Sequence, residues 1–231
     1  MKKITLCIPY YNRVDLIAET LAYPLTDDRI DEIIICDDVS PEEDFKKLME
    51  VVCDMPKVKV YKNAVNYHIL HNKRNAVTFA KNEWVYLLDS DNQITKETID
   101  VIYRYNWDSN MIYQPVKASP EFDYSEFSGA LIFINSLKDF IDKPMFPVLL
   151  NTGNYFFNRE TYLSAYKYDS KARAADVICQ NYNHLINNRI IFVVPDLVYQ
   201  HRVHSGSSFL AEADKNMDMS RFWMEKVKQL Q

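Results

Sequence analysis

The fold of this chain is decided by WVYLLDSDN, residues 84–92, an apolar run that leads into two carboxylates one residue apart. A strand that enters the core and ends in Asp89-Ser90-Asp91 presents hard oxygen ligands at the carboxyl edge of a sheet, where open α/β folds bind ligands. Such oxygens suit Mg²⁺ or Mn²⁺, which keep coordination positions for substrate phosphates. The stretch therefore suggests a metal-bridged nucleotide diphosphate. Asp-x-Asp also arises by chance in acidic loops, so the surrounding sequence has to support it.

Short apolar strands alternate with amphipathic helices through the first hundred residues. The predicted strands are 4–8, 32–36, 58–61 and 84–88, and the predicted helices are 15–25, 41–52 and 73–81. Pro9 is expected to stop the first strand, and Ser40 to cap the second helix with Pro41 at its first position. Continuous apolar strands separated by helices indicate a parallel sheet that is covered on both faces.

The second half is less regular, and no repeat, low-complexity segment or clear linker separates it from the first. Its predicted strands are 111–113, 130–134, 155–157 and 190–194, and its helices lie near 136–141, 159–166, 174–187 and 217–230. We therefore predict a single α/β domain over residues 1–231, with a Rossmann-like, mostly parallel central sheet flanked by helices.

Composition narrows the classes of function. The 231 residues are 48% hydrophobic and carry a net charge of −5, which argues against a general nucleic-acid surface. The sequence has no run of eighteen apolar residues, and its first residues lead into a strand rather than a signal peptide. We expect a cytoplasmic protein without a transmembrane segment, with peripheral membrane contact left open.

Cysteine and glycine usage exclude two kinds of site. The four cysteines form no CxxC pair, so neither a zinc site nor a disulfide framework is expected. Only three glycines occur, which excludes a glycine-rich phosphate loop. An anionic ligand would therefore need a metal or local positive charge.

Acidic residues follow two of the predicted strands: Asp37-Asp38 after the second, and Asp89 and Asp91 after the fourth. Each alone could cap a helix or lie solvated in a loop. Because parallel strands bring their carboxyl ends to one edge, we expect these carboxylates to converge there. They could then accept hydrogen bonds from a base and a ribose while another holds a metal.

Three segments of the first half occur in a recognisable order: ITLCIPYYNR (4–13), DEIIICDDVS (31–40) and the run from Lys73 to Asn92. They resemble the family 2 glycosyltransferases, which carry the GT-A fold and invert the anomeric configuration. The likeness returns at Gly153-Asn154, Ala175-Asp176 and 201–207. It implies a nucleotide-sugar-binding half over 1–92 and an acceptor-binding half over 93–231.

The resemblance assigns roles to particular residues. Asp38 would contact the nucleobase, Asp89 the ribose, and Asp91 the Mn²⁺ or Mg²⁺ that bridges the donor diphosphate. The nucleotide-sugar contacts it implies are Pro9, Tyr11, Asn12, Arg13, Asp38, Arg74, Asp89 and Ser90. A solvated helix charge is the alternative for Arg74, and ordinary core packing the alternative for Tyr11.

The resemblance also implies a catalytic base, Asp176, near the start of a predicted helix. Its alternative role is a first-turn charge that complements the helix dipole. The family usually has Glu-Asp where this chain has Ala175-Asp176, and Arg173 could hold Asp176 ionised. His204, in preference to His201, would be an additional metal ligand; a structural histidine is the alternative.

Two regions depart from the family pattern. Asn63, Asn66 and Asn75 occur where glycines usually follow the third strand, and asparagine tolerates left-handed backbone better than most residues. The segment 119–128 matches nothing in the pattern. Its aromatic and acidic residues suit sugar stacking and hydroxyl binding, and a disordered loop is the alternative.

The resulting expectation is an inverting glycosyltransferase that moves a sugar from a nucleotide diphosphate donor, UDP-sugar by default, to a hydroxyl of a saccharide or lipid-linked glycan. A sugar-phosphate nucleotidyltransferase is one rival, although it would open with a glycine-rich loop where this chain has Pro9-Tyr10-Tyr11-Asn12. The other rival is a non-catalytic carbohydrate-binding or assembly subunit that keeps the fold.

Overall fold

The structure is a computed structural model that describes residues 1–172, 175–202 and 213–231, with backbone only for 213–215. Its strands are β1 (Ile4–Tyr10), β2 (Ile30–Asp37), β3 (Val58–Lys62), β4 (Trp84–Leu87), β5 (Met111–Ser119), β6 (Phe122–Asp123), β7 (Leu131–Ile132), β8 (Tyr155–Asn158) and β9 (Ile190–Gln200). Its α-helices are α1 (Val14–Ala22), α2 (Glu42–Val52), α3 (His68–Phe79), α4 (Lys96–Ile102), α5 (Phe146–Leu150), α6 (Arg159–Ala165), α7 (Asp176–Ile186) and α8 (Ala213–Lys228).

One sheet runs through both halves of the chain, in the order β3-β2-β1-β4-β8-β5-β9-β7, and β6 pairs with β5. The first four strands in this order are parallel, whereas β8 is antiparallel to both β4 and β5. The chain moves outward from β1 to β3 and then returns across β1 to form β4. This reversal places the switch point of the sheet at the carboxyl ends of β1 and β4, where α/β sheets bind ligands.

The strands of the first half are parallel, and the central ones are buried, because the helices that connect them pack on the faces of the sheet. Every residue of β1 and β4 is buried. Helix α1 covers the sheet with Ile17 and Leu21, and α3 covers it with Leu70, Ala76 and Val77. The apolar runs of the first half therefore give the predicted sheet, and the α/β fold is confirmed. Beyond β4 the sheet is mixed, because β8 enters between β4 and β5 in the opposite direction.

The prediction that Pro9 ends the first strand is wrong. Strand β1 continues through Pro9, which pairs with Cys36, to Tyr10. The backbone of Cys7 faces β4, where its carbonyl accepts a hydrogen bond from Leu88 N. Pro9 faces the same side by the two-residue period of a strand, but the pairing with β4 ends at Cys7. The missing N–H of Pro9 therefore removes no ladder hydrogen bond.

Ser40 was predicted to cap α2, and this is also wrong. The residue before α2 is Pro41, and the Ser40 hydroxyl accepts a hydrogen bond from the Asn12 backbone N–H at 2.8 Å. Ser40 is buried, so its side chain joins the loop after β1 to the loop after β2. The residue types match an N-cap pattern, but the Ser40 hydroxyl bonds to a distant loop instead of the first turn of α2.

Other helix and strand boundaries differ from the predicted ones for local reasons. Helix α3 begins at His68, five residues earlier than predicted, and β9 continues without a break to Gln200. A register shift opposite Pro115 and Lys117, with Asp196 in left-handed backbone (φ 64°), lets β9 pass the irregularity. Helices α4 and α5 were not predicted, since neither is long enough to show a clear period.

The segment 119–128 is ordered, so its reading as a disordered loop is wrong. Its chain forms the short β5–β6 pairing and a 3₁₀ turn at Ser125–Phe127. Tyr124 and Phe127 are buried in the core, so these two rings cannot stack on a sugar. Among the described helices, none has the length and apolar character needed to cross a membrane.

Candidate functional site

Three loops meet at the carboxyl ends of β1, β2 and β4. The Asp38 N–H donates to the Tyr10 carbonyl at 2.9 Å, and the Leu88 N–H donates to the Cys7 carbonyl at 2.9 Å. With the contact between Asn12 and Ser40, these bonds fix the three strand ends side by side. The predicted convergence of the strand-end acids on one edge therefore follows from the backbone itself.

A network of side-chain amides surrounds Asp38, and we call Asp38, Asn63, Tyr67, Asn72 and Asn75 the amide corner. Asp38 Oδ1 accepts hydrogen bonds from Asn63 Nδ2 at 2.8 Å and from the Tyr67 backbone N–H at 2.9 Å. Asn63 also donates to Asn72 Oδ1 and accepts from Asn75 Nδ2. Asn72 donates in turn to the Cys36 carbonyl at the end of β2.

This arrangement suits a carboxylate that reads a ligand. Asp38 is buried, and the hydrogen bonds that described residues give to it end on Oδ1. Its second oxygen is thus left as an acceptor for a donor group of a base. Neighbouring Asp37 has a structural task, because it accepts a hydrogen bond from the Ser40 N–H and is fully buried. Burial raises the pKa of Asp37 above its usual value.

The expected left-handed backbone at Asn63, Asn66 and Asn75 does not occur. The non-glycine residues with positive φ in this region are Asn12, Val39 and His68. Asn63 and Asn75 instead contribute their amides to the amide corner, and the Asn66 side chain accepts a hydrogen bond from the His68 N–H. These asparagines differ from glycine by what their side chains bond, not by their backbone.

A second group of charges, which we call the ion cluster, consists of Lys73, Asp89 and Asp176. Lys73 Nζ lies 2.9 Å from Asp176 Oδ2 and 3.1 Å from Asp89 Oδ1. Only 4% of the Lys73 side chain is exposed, against 28% for Asp89 and 11% for Asp176. The ammonium group therefore bridges the end of β4 in the first half and the start of α7 in the second.

Burial and charge act in opposite directions in the ion cluster. Burial lowers the pKa of Lys73, but the charges of Asp176 and Asp89 more than offset this, so its pKa lies above the usual value and it stays protonated. Burial raises the pKa of Asp89, assisted by the nearby charges of Asp91 and Asp176 and opposed by Lys73. The cluster is therefore stable only as a set, because each member compensates another.

Gly153 and Asn154, which precede β8, complete the surroundings of Asp89. A Cβ atom on Gly153 would lie 2.8 Å from Lys73 Nζ and 3.0 Å from Val177 Cγ2, so a side chain there would displace the ammonium group. The Asn154 side chain accepts a hydrogen bond from the Asp89 N–H at 2.7 Å and donates to Asp89 Oδ2 at 3.4 Å. Both residues thus set the position of Asp89.

Asp91 lies at the open side of the same edge. Its Oδ2 is 3.9 Å from Arg13 Nε, and 24% of its side chain is exposed. The described residues contain no cluster of three His, Cys, Asp or Glu side chains that would hold a metal alone. One accessible carboxylate fits Mg²⁺ or Mn²⁺ bound jointly by protein and substrate phosphates, as hard cations are in many nucleotide sites.

The two histidines of the predicted metal set differ in what can be said of them. His204 lies outside the described residues, as does Arg173. His201 Nδ1 is 3.0 Å from Glu121 Oε2, and its ring packs against Phe122 and Tyr199. These contacts give His201 a structural partner.

The remaining predicted contacts take different positions. Pro9 is buried within the sheet, whereas Tyr11 and Asn12 are exposed, so core packing is not the role of Tyr11. Ser90 is buried, and its carbonyl accepts a hydrogen bond from Thr20 Oγ1 at 3.1 Å. Arg74 donates to Asn75 Oδ1, and its guanidinium group lies 5.9 Å from the centre of the Tyr166 ring.

Sequence reasoning missed Lys73, the cation of the ion cluster, and chose its neighbour Arg74. A signal was available in the helical period: Leu70, Lys73 and Val77 are spaced i, i+3 and i+7, and all three are buried. A lysine on the apolar face of a helix needs a buried partner, since an unpaired ammonium group there is costly. That partner could not be named before the fold brought Asp176 to it.

Comparison with known proteins agrees with this fold. Residues 5–143, more than half of the chain, match the family described as "Glycosyl transferase family 2". The chain therefore belongs to glycosyltransferase family 2, and the resemblance noted in the sequence is confirmed. No curated protein sequence matches the chain.

Solved structures extend the likeness to the whole chain. S. aureus TarS 1–349 in complex with UDP-GlcNAc is 17% identical, with a TM-score of 0.71 over 97% of this chain and 66% of that one. The mannosyltransferase PcManGT from Pyrobaculum calidifontis, in complex with GDP-Man and Mn²⁺, is 14% identical, with a TM-score of 0.66 over 99% of this chain and 73% of that one. At such identities the likeness shows the GT-A fold alone. The chain spans 39% to 66% of the length of the S. aureus TarS structures.

Proposed function

We propose that this protein is an inverting glycosyltransferase that transfers a sugar from a nucleotide diphosphate donor, with UDP-sugar as the first candidate, to a hydroxyl group. The acceptor we propose is a saccharide or a lipid-linked glycan. Residues 1–92 would bind the donor and residues 93–231 the acceptor. The protein would act in the cytoplasm, and peripheral contact with a membrane would bring a lipid-linked acceptor within reach.

The observation that carries this proposal is the placement of the ion cluster. Lys73 joins a carboxylate at the end of β4, in the donor half, to Asp176 at the start of α7, in the acceptor half. Transfer requires a donor group and an acceptor-activating group beside one crevice. Asp89 and Asp176 would be these two groups, and Lys73 holds them together at the switch point of the sheet. The amide corner lies at the end of β2, two strands from β4.

The donor would occupy the edge from the amide corner to Asp91. The free oxygen of Asp38 would accept a hydrogen bond from the nucleobase, and Asp89 would accept from the ribose hydroxyls. Exposed Tyr11 and Asn12 would line the nucleotide, with Arg13 and Arg74 contributing positive charge. Pro9 and Ser90 are buried, so they would shape this edge mainly through their backbone.

A divalent cation, Mn²⁺ or Mg²⁺, would be held by Asp91 together with the donor phosphates. His204 would be a further ligand. When bound, the cation would neutralise charge that develops on the leaving diphosphate. The structure of PcManGT in complex with GDP-Man and Mn²⁺ supports this choice of cofactor.

Asp176 would act as the base. Lys73 contacts its Oδ2, so among the described residues Oδ1 is the oxygen left to take a proton. The acceptor oxygen would bond to the anomeric carbon as the bond from that carbon to the diphosphate breaks, and the acceptor proton would pass to Asp176. A single displacement of this kind inverts the anomeric configuration.

Membership of family 2 favours this function over a sugar-phosphate nucleotidyltransferase. A non-catalytic carbohydrate-binding or assembly subunit remains the rival to test. Purified protein should be screened by thermal shift against UDP-GlcNAc, UDP-glucose and GDP-mannose with Mn²⁺, and then assayed for release of the nucleotide diphosphate. Release of the nucleotide diphosphate supports the transferase, and ligand binding without turnover supports the non-catalytic subunit. Release of pyrophosphate from UTP supplied with a sugar 1-phosphate, in place of the nucleotide sugar, would indicate the nucleotidyltransferase.

A further inference from the structure

The search for an unexplained group ends at Lys73, a buried charge to which neither the sequence motifs nor the family likeness gave a role. It lies in the middle of α3, and its ammonium group reaches carboxylates from two other elements. Gly153 leaves the space that this group occupies, because a Cβ atom there would approach Nζ to 2.8 Å. A simple structural ion pair would need only one of the two carboxylates.

We propose that Lys73 is the positioning residue of this site: its ammonium group holds the Asp176 carboxylate in place and ties it to the donor contact Asp89. The inference rests on the proposed function, since it gives the proposed base its partner. Lys73 is not a catalytic residue in this scheme, because its ammonium group contacts carboxylates of the protein rather than the reacting atoms.

The charges around Asp176 support this role. From α3 it faces Lys73, from the loop after β4 it faces Asp89, and from β8 and α6 it faces Tyr155 and Tyr162. Burial raises the pKa values of both tyrosines well above their usual value, so both stay neutral.

Cys179, one turn further along α7, also stays neutral, because burial raises its pKa. Within residues 1–172, 175–202 and 213–231, Lys73 is the cation at ion-pair distance from Asp176. Two carboxylates that share a partly buried site repel each other, so Lys73 is what allows Asp89 and Asp176 to stay close together.

The consequence can be measured by comparing kcat with the KM for the donor. Replacing Lys73 by Met keeps the length of the side chain and removes its charge. A catalytic group displaced by about 1 Å can cost roughly 10²-fold in rate, so kcat should fall by about that amount. We expect the KM for the donor to change less, because the Lys73 side chain contacts Asp176 as well as Asp89 and is not itself a proposed donor contact.

The experiment compares the parent protein with the Lys73→Met, Gly153→Ala and Lys96→Met variants. The readout is kcat, and the KM for the donor, in Mn²⁺-dependent hydrolysis of the donor from the screen. Gly153→Ala keeps the ammonium charge but displaces it, so kcat should fall in the same way. This variant carries the test if Lys73→Met does not fold. Lys96 has an exposed side chain paired with Asp100 on the surface, and its replacement should leave kcat and KM unchanged.

A fall in kcat of more than about threefold, with a KM for the donor that changes less than kcat, supports the proposal. A kcat within about threefold of the parent, or a KM that rises by as much as kcat falls, overturns it. If the parent hydrolyses no donor, the proposed function fails, and a double-mutant cycle of Lys73→Met and Asp176→Asn on thermal stability decides the pairing by itself. Additive losses of Tm would then show that Lys73 does not hold Asp176.

Discussion

In the amide corner, the Asp38 carboxylate is held by neutral donors, whereas in the ion cluster Asp89 and Asp176 share one buried ammonium group. Neutral amides fix the direction of a carboxylate and leave its charge to the ligand. A buried cation instead fixes where the two carboxylates lie relative to each other. The first arrangement suits recognition of a base, and the second suits a group that must take a proton at a defined moment.

The two groups also differ in the span of sequence they need. The amide corner is built from residues 38–75, all within the first half of the chain. The ion cluster joins residues 73, 89 and 176 and depends on residues 153 and 154. Substitutions of Lys73 and Asp176 should therefore affect turnover, and substitutions of Asp89 or in the amide corner should affect nucleotide affinity.

The largest effect is expected from Asp176→Asn. The amide keeps the size of the side chain but cannot take a proton, so the transfer rate should fall by about 10²- to 10⁴-fold, the usual contribution of a general base. UDP affinity should stay near normal, because the proposed contacts to UDP and its metal are made by Asp38, Asp89 and Asp91 rather than by Asp176. Single-turnover transfer and UDP binding, measured side by side on one preparation, test both statements.

A fall in transfer of less than about threefold would be far below a general-base contribution. Asp176 would then be only a first-turn charge of α7, and the base should be sought first at Asp169. A comparable loss of UDP affinity in the variant would instead indicate that the ion cluster belongs to donor recognition.

Asp91→Ala should come next in size. The alanine removes the accessible carboxylate of this edge, so most of the Mn²⁺-dependent gain in UDP affinity should disappear. Calorimetric titration with UDP, in the presence and absence of Mn²⁺, measures the gain. Cys53→Ser is the matched control, since Cys53 is an exposed residue on the far side of α2 from the site. Equal UDP affinity of the parent protein with and without Mn²⁺ would contradict the metal role.

Asp38→Ala tests the amide corner, the second group in this comparison. We expect affinity for UDP and for a UDP-sugar to fall by similar factors, because a contact to the base is common to both ligands. A good hydrogen bond to a charged group contributes about 1.5–3 kcal/mol, which corresponds to a loss of roughly 10- to 100-fold. Arg74→Ala should act on both ligands in the same sense. Loss of affinity for one sugar donor with unchanged UDP affinity would show that Asp38 does not hold the base.

The sequence was sufficient for the part of the fold that local pattern controls. Apolar runs and helical periods predicted β1–β4 and the three helices among them, because burial on both faces leaves a strong local signal. The antiparallel entry of β8 beside β4 leaves no such signal, since it depends on a partner seventy residues away. Pro9 was wrongly expected to end β1, because the pairing of β1 with β4 has already ended at Cys7 and the missing N–H costs no hydrogen bond. Ser40 was wrongly expected to cap α2, because its hydroxyl bonds to the loop after β1.

The residues of the site also divide into those with a local sequence signal and those that depend on distant partners. The strand-end acids could be named from the sequence because parallel strands share an edge. Lys73 left a signal in the helical period of α3, but its ion partners could not be named, because they come from the end of β4 and from α7. Gly153 is informative only once Lys73 Nζ is known to lie beside it.

The smallest expected effect tests the turn that carries Asp38. Val39 has left-handed backbone (φ 65°), a conformation that costs an L-residue about 1–2 kcal/mol and suits a β-branched side chain poorly. Glycine adopts it freely but loses about 0.5–1 kcal/mol in chain entropy on folding. Val39→Gly should therefore raise the free energy of unfolding by roughly 0.5–1 kcal/mol, the difference of these two effects. Because Val39 is 36% exposed, little packing is lost.

Urea unfolding measures this gain, with Val65→Gly as the control, an exposed valine without positive φ. The control should lose stability, since glycine there adds entropy to the unfolded chain and relieves no strain. UDP affinity should be unchanged in Val39→Gly, because the hydrogen bonds from Asn63 and Tyr67 fix Asp38 independently of its neighbour. If stability rises but UDP affinity falls, the strained turn helps to aim Asp38 at its ligand, and the amide corner does not hold this carboxylate alone.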